Sequence, residues 1–313
     1  MMRRRPKPVD ESDRRQMKHA GISVGLQIGT QPPLNATRAF VLGARAMRLD
    51  SVMAIDHYQN IFPSVIWDEH LTWLAAHRAT PYEFFDYQVL LGYLASRVGQ
   101  MWIGVGVTEP IRRHPVLIAQ AIMTLSHLTK KAPILGIGAG ERMNIDPYGL
   151  DPSEPVTRVE EALQIIRLCL STTEPITFCG KHYRLDQATM DLKPAPGRVP
   201  EIWIAGHGPR MLELTGRYGD GWYPTTVASP PEYAAKLAAV RAAAVAAGRN
   251  PDCITPALHR YRHRGFRSGG ASHAGDQSHP RAGAHGAGRA VATSRSHAPI
   301  RETFQPTSRL HTR

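Results

Sequence analysis

Three places in this 313-residue sequence carry residues able to move a proton or hold an anion. The first is Asp56-His57, at the end of a β-type run. A carboxylate can accept from a ring N–H, and histidine can donate to a carbonyl or alkoxide near neutral pH. A turn cap beside a satisfied surface histidine is the plainer reading of the same pair. The second is the stretch 136–141, GIGAGE. It fails the GxGxxG dinucleotide spacing, and its glycines suit the approach of a flat ring to the backbone. Glu141 there is either a proton donor raised by burial or a solvated loop carboxylate. Asn144, three residues on, is placed to bond the same ligand. The third is Ala205-Gly206-His207-Gly208-Pro209, where free N–H groups opening a helix suit a phosphate or carboxylate. Gly104-Val105-Gly106-Val107 adds a strand end with two glycines, the mark of a bulge against a planar group.

These residues need a frame that brings strand ends together. From residue 22 the chain alternates short β-type runs with helical patterns, the order of a parallel α/β fold. Strands are predicted over 22–28, 51–55, 101–107, 134–137, 202–205 and 222–225. Helices are predicted over 35–47 with Asn35 as N-cap, within 67–96 after a long excursion, and over 115–129, 209–218 and 232–247. A further helix follows Ser153 and Pro155, with Val156, Val159, Leu163, Ile166 and Leu170 at 3-4-3-4 spacing. The stretch 175–185 reads as a small hairpin. Six strand–helix units result, where a closed TIM (β/α)8 barrel has eight. The expected fold is therefore an incomplete barrel over 21–257, flanked by a basic extension over 1–20 and a tail over 258–313.

The net charge of +12 resides in the flanks: +4 over 1–20 and +8 over 258–313, leaving 21–257 at zero. Specific nucleic-acid binding by the central domain loses its support. The last 56 residues hold ten Arg, seven His and seven Gly but only four of Leu, Ile, Val or Met. They cannot offset their chain entropy by apolar burial. A disordered tail and a frame-shifted end both fit; the abrupt onset and Arg without Lys favour the second. No apolar run is long enough for a membrane span, no signal peptide is visible, and three scattered cysteines suit a reducing cytoplasm.

The strand-end DH, the segment IGVGVTEPIRRHPVLIAQAIMTLSHL, the GIGAGE turn with Asn144, and EIWIAGHGPRMLELTGRYGDGW together resemble the luciferase-like monooxygenase superfamily, in its F420-dependent oxidoreductase branch. The resemblance spans about 22–256. It implies coenzyme F420, with FMN as the alternative, and hydride transfer to a carbonyl. It implies that Asp56 sits by the deazaflavin ring and that His57 polarises the reacting oxygen. Gly106 and Val107 become the bulge behind the ring, often a cis peptide. Glu141 becomes the acid/base glutamate and Asn144 a cofactor contact. Ala205, Gly206, His207 and Gly208 become donors to the cofactor phosphate; no metal is implied.

Two departures tell against a sugar-phosphate substrate. The sugar-phosphate dehydrogenases of the family carry tryptophan four residues after the histidine, where this chain has Ile61, and their phosphate-binding lysine is unmatched over 225–231. The segments GHGPRMLELTGRY and AGRNPDCITPA resemble instead the mycocerosate-lipid ketoreductases of the phthiodiolone type. The partner expected is a small-molecule or lipid substrate, with a homodimer left open. Two alternatives stand beside this reading: an FMN-dependent monooxygenase, and a truncated, inactive family member.

Overall fold

The computed structural model describes residues 21–60, 64–70, 73–76, 80–225, 227 and 229–259. The predicted extension over 1–20, nearly all of the predicted tail and Ile61 lie outside the described residues. All described residues belong to one compact unit within residues 1–262.

In chain order the elements are β1 (Gly25–Ile28), α1 (Leu34–Ala46), β2 (Ser51–Ala54), α2 (Tyr87–Leu94), β3 (Trp102–Thr108), α3 (Pro115–Leu128), β4 (Ile134–Ile137), α4 (Pro155–Ser171), β5 (Ile176–Cys179), β6 (Arg184–Ala188), β7 (Glu201–Ile204), α5 (Pro209–Tyr218), β8 (Gly221–Trp222), α6 (Pro230–Ala246) and β9 (Thr255–Pro256). Seven strands form one sheet in the order β1-β2-β3-β4-β7-β8-β9, every neighbour pair parallel. β5 and β6 pair antiparallel as the predicted hairpin. The curled sheet with its helices is an incomplete (β/α)8-type barrel of six units, with β9 opening a seventh.

Alternation along the strands sets the layers. Val52 and Ala54, Ile103 and Val105, Leu135 and Ile137, and Ile202 and Ile204 are buried in one cluster with the helices. The 3-4-3-4 row of α4 lies in that cluster: Val159, Leu163, Ile166 and Leu170 are buried and Val156 packs against it. Each such side chain contributes roughly 1.5–3 kcal/mol by leaving water.

Two local expectations are corrected. Pro33, not Asn35, stands at the N-cap of α1, with no side-chain cap bond. A proline with fixed φ ends the preceding extended chain on its own, so Asn35 falls inside the first turn. The strand expected over 222–225 is only the two-residue β8; the Tyr223 N–H still donates to the Ile204 carbonyl, but Pro224 has no N–H with which to continue that ladder.

Candidate functional site

A parallel sheet places every strand's C-terminal end on one side. Asp56-His57 follow β2, the 138–141 turn follows β4, and the 206–208 junction follows β7. β4 and β7 are sheet neighbours, with Ile137 paired to Ile204. The residues singled out from the sequence therefore share one end of the barrel.

His57 and Glu141 meet there, with Nε2 of His57 3.5 Å from Oε2 of Glu141. Gly140, at φ +86°, makes the left-handed bend that delivers Glu141 to this spot. Asn144 is buried and joins the pair. Its Oδ1 accepts from the backbone N–H of Tyr58 at 2.7 Å and of Gln59 at 2.8 Å, and its Nδ2 donates to Glu141 Oε2 at 3.1 Å. Phe84 lies beside the His57 ring, centroids 5.8 Å apart.

Asp56 points elsewhere. Its Oδ2 accepts from Thr108 Oγ1 at 2.6 Å and from Arg113 at 2.9 Å, and lies 3.1 Å from Arg112 Nη2. Arg112 also donates to the Asp56 carbonyl at 2.9 Å and to Glu109, and Arg113 bridges on to Asp86 at 2.7 Å. Both Asp56 and Arg112 have side chains only 3% exposed. Unpaired, either charge would be prohibitive at that depth; paired, they lock β2 to the loop after β3. Burial and the Asp56 charge push the nearby Tyr87 hydroxyl up to about 12. Burial opposes the Arg113 charge, but Asp56 and Asp86 outweigh it and hold the guanidinium more firmly cationic than usual.

The bulge falls where two strand glycines marked it. The β3–β4 register shifts between Val105 and Thr108, and the Gly106–Val107 peptide is cis. A side-chain carbon at Gly106 would sit 2.9 Å from the Tyr223 ring, so only glycine fits without displacement. Gln27 Nε2 donates to the Gly106 carbonyl at 2.6 Å.

At the α5 junction one expectation is corrected. The Ala205 N–H is not available to an anion, because it donates to the Ile137 carbonyl at 2.9 Å and so continues the β4–β7 ladder. The N–H groups of Gly206, His207 and Gly208 carry no such bond among the described residues. Gly208 is the N-cap of α5, and a side-chain carbon built on it would meet nothing within 4 Å. Trp222 Nε1 holds the Gly206 carbonyl at 3.0 Å. Burial, then the Lys236 charge, push the His207 imidazole below its usual 6.5, with Glu232 opposing.

Comparison with known proteins places the chain in a family. The sequence model of the luciferase-like monooxygenase family matches residues 19–263. The chain belongs to the luciferase-like monooxygenase family. Among its relatives in that family is the phthiodiolone/phenolphthiodiolone dimycocerosates ketoreductase of Mycobacterium sp. (strain JLS), 41% identical over 246 residues, 77% of this chain and 64% of the relative. The chain thus spans just under two thirds of that relative's length. Another is the F420-dependent hydroxymycolic acid dehydrogenase of Mycobacterium tuberculosis (strain H37Rv), 39% identical over 169 residues, 52% of this chain and 45% of the relative. The barrel portion also superposes on an F420-dependent secondary alcohol dehydrogenase solved with an F420-acetone adduct, with TM-score 0.65, 23% identity and coverage of 75% of this chain and 68% of that one.

Within this luciferase-like chain, several site residues escaped sequence reasoning. Gln27, Thr108, Glu109, Arg112, Arg113, Tyr223 and Lys236 all border the residues above. Two adjacent arginines just before a helix start were a usable signal, since cations are disfavoured there unless paired. Gln27, an amide inside the short run GLQI, was another. Among the described residues, no group of three or more His, Cys, Asp or Glu is placed to hold a metal.

Proposed function

We propose that this chain is an F420-dependent oxidoreductase that reduces a ketone, its cofactor and substrate meeting at the C-terminal strand ends of residues 21–257. The approach of His57 to Glu141 within 3.5 Å, at the same end of the barrel as the Gly106–Val107 bulge, carries the reading.

The residues present suit the cofactor's chemistry. Three N–H groups over 206–208 with no partner among the described residues, and the start of α5, match an anionic phosphate. The bulge offers backbone, not side chain, to a flat ring. Held by these residues, reduced F420 would supply the hydride. His57 and Glu141 hold one transferable proton between them, and the alkoxide oxygen left by hydride addition takes it, giving the secondary alcohol. The Asp56–Arg112–Arg113 lock keeps the strand end under His57 in place, which near-attack geometry requires. Asp56 in this reading approaches the ring through its backbone, its carboxylate being engaged by the arginines.

The names of the mycobacterial relatives favour a ketone on a long apolar substrate. A second copy of the chain is the expected partner. α2 and α3 are apolar around much of their circumference, and a groove between them exposes Val89, Leu117 and Leu128; helices of that composition are normally covered on both sides. No helix among the described residues is long and apolar enough to cross a membrane. The three cysteines are unpaired, as the reducing cytoplasm allows.

FMN is the alternative, since it too has a phosphate and a flat ring. Titration of the purified chain with F420 and with FMN, followed by fluorescence, tests the reading. Tight binding of F420 with ketone reduction is expected; binding of FMN alone would move the chain to oxygen-dependent chemistry, and binding of neither would refute cofactor use.

A further inference from the structure

We infer that Asn144 is a positioning residue that sets His57 and Glu141 against each other. The inference rests on the reading above that these two groups handle the proton.

The hydrogen-bond capacity of Asn144 is nearly exhausted inside the protein. Its oxygen has two lone pairs, and they meet the N–H groups of Tyr58 and Gln59, the two residues after His57. One of its two amide hydrogens meets Glu141. The amide orientation follows from these partners, because the reversed group would set donors against two N–H donors. The residue is 2% exposed, so it is sealed beneath the residues it holds.

The same backbone stretch is held from its other side. Arg112 donates to the Asp56 carbonyl at 2.9 Å, and its guanidinium stacks on the Tyr58 ring at 4.7 Å. His57 is thus flanked by a pinned carbonyl before it and two pinned amides after it. Asn144 bonds both to this backbone and to Glu141. A single amide, fixed to the loop after β2 and to the turn after β4, therefore fixes the separation of the two proton-carrying side chains.

Two substitutions divide its functions. Asn144→Ala removes every bond. Asn144→Asp keeps an acceptor for both N–H groups but loses the donor and repels Glu141. Amide exchange and His57 ring resonances are read by NMR on the 15N-labelled full chain, without cofactor. In Asn144→Ala, exchange at Tyr58 and Gln59 is expected to quicken about tenfold, as loss of a hydrogen bond implies, while β3 and β4 keep their protection. In Asn144→Asp those two amides stay protected, yet the His57 ring resonances shift. With F420 bound, ketone turnover falls about tenfold or more at unchanged KM, the sign of lost transition-state positioning. When Asn144→Asp is combined with Glu141→Gln, the amide introduced by the second change can donate to the carboxylate introduced by the first. Protection at Tyr58 and Gln59 should persist in this double variant.

Unchanged exchange at Tyr58 and Gln59 in Asn144→Ala would overturn the inference, and so would unshifted His57 resonances in Asn144→Asp. If Asn144→Ala does not fold, Asn144→Asp decides alone. If the parent chain binds neither cofactor, the proposed function falls, while the exchange and ring measurements still decide the role of Asn144.

Discussion

Gln27 lies on β1 and Gly106 on β3, with β2 between them in the sheet, yet the Gln27 amide donates to the Gly106 carbonyl at 2.6 Å. The side chain spans a strand on the inner side of the barrel to reach the bulge. The register shift disturbs the β3–β4 ladder beside this carbonyl, and Gln27 supplies it with a donor. Gln27→Leu should leave it unmet and cost about 1–3 kcal/mol. Urea unfolding of the two forms measures the cost. A variant as stable as the parent would mean that water replaces the amide.

Gly106→Ala places a carbon against the Tyr223 ring. F420 affinity should fall more than about tenfold, with stability lowered by about 1–3 kcal/mol as for other overpacked sites. Adding Tyr223→Leu should restore most of both. Fluorescence titration and thermal unfolding of the single and double variants check it.

Asp56→Asn removes one partner from a buried ionic lock and leaves Arg112 and Arg113 short of a counter-charge. The expected loss is about 3–5 kcal/mol, so the variant should be markedly destabilised. Val245→Ala, on the exposed face of α6, should cost far less. Denaturant unfolding ranks the two.

Asp86 links this lock to pH. Burial pushes its carboxyl up, but the Val89 N–H, the Arg113 guanidinium and the Gln88 N–H together bring it below the usual 3.8. A carboxyl lowered by folding stabilises the native state above its unfolded value and loses that contribution as pH falls through the folded one. Stability should therefore decline below about pH 4, and Asp86→Asn should flatten that part of the curve. Unfolding of both forms, measured from about pH 2 to about pH 5 to bracket the ordinary carboxyl range, gives the comparison.

His207 should respond to an anion at the α5 junction. Its imidazole is held below 6.5 by burial and by Lys236. The native state therefore resists protonation, and it loses stability as pH drops below 6.5 toward the folded value. Lys236→Gln should raise the imidazole pKa, and a bound phosphate group should raise it in the parent chain. NMR titration of the His207 ring, with and without F420, shows both shifts; an unmoved ring would place the phosphate elsewhere.

Much of the frame was legible because it rests on local pattern. β4 and α5 match their predicted ranges, since each is bounded by its own punctuation: Pro133 and the glycines around β4, Gly208-Pro209 and Gly219 around α5. The start of α1 was misplaced because a proline cap competes with Asn35 in the same three residues. The Ala205 donor was misassigned because ladder bonding depends on where β4 ends, some seventy residues away.

Residue order alone determined that His57, Glu141 and the 206–208 junction would stand at strand ends, and a parallel sheet puts strand ends together. What those side chains touch was decided by tertiary structure. Arg113 meets Asp56 57 positions away in the chain, Asn144 meets Tyr58 86 away and Gln27 meets Gly106 79 away. Period and propensity act over a few residues, whereas these contacts depend on sheet curvature and side-chain direction, which exist only once the strands have paired.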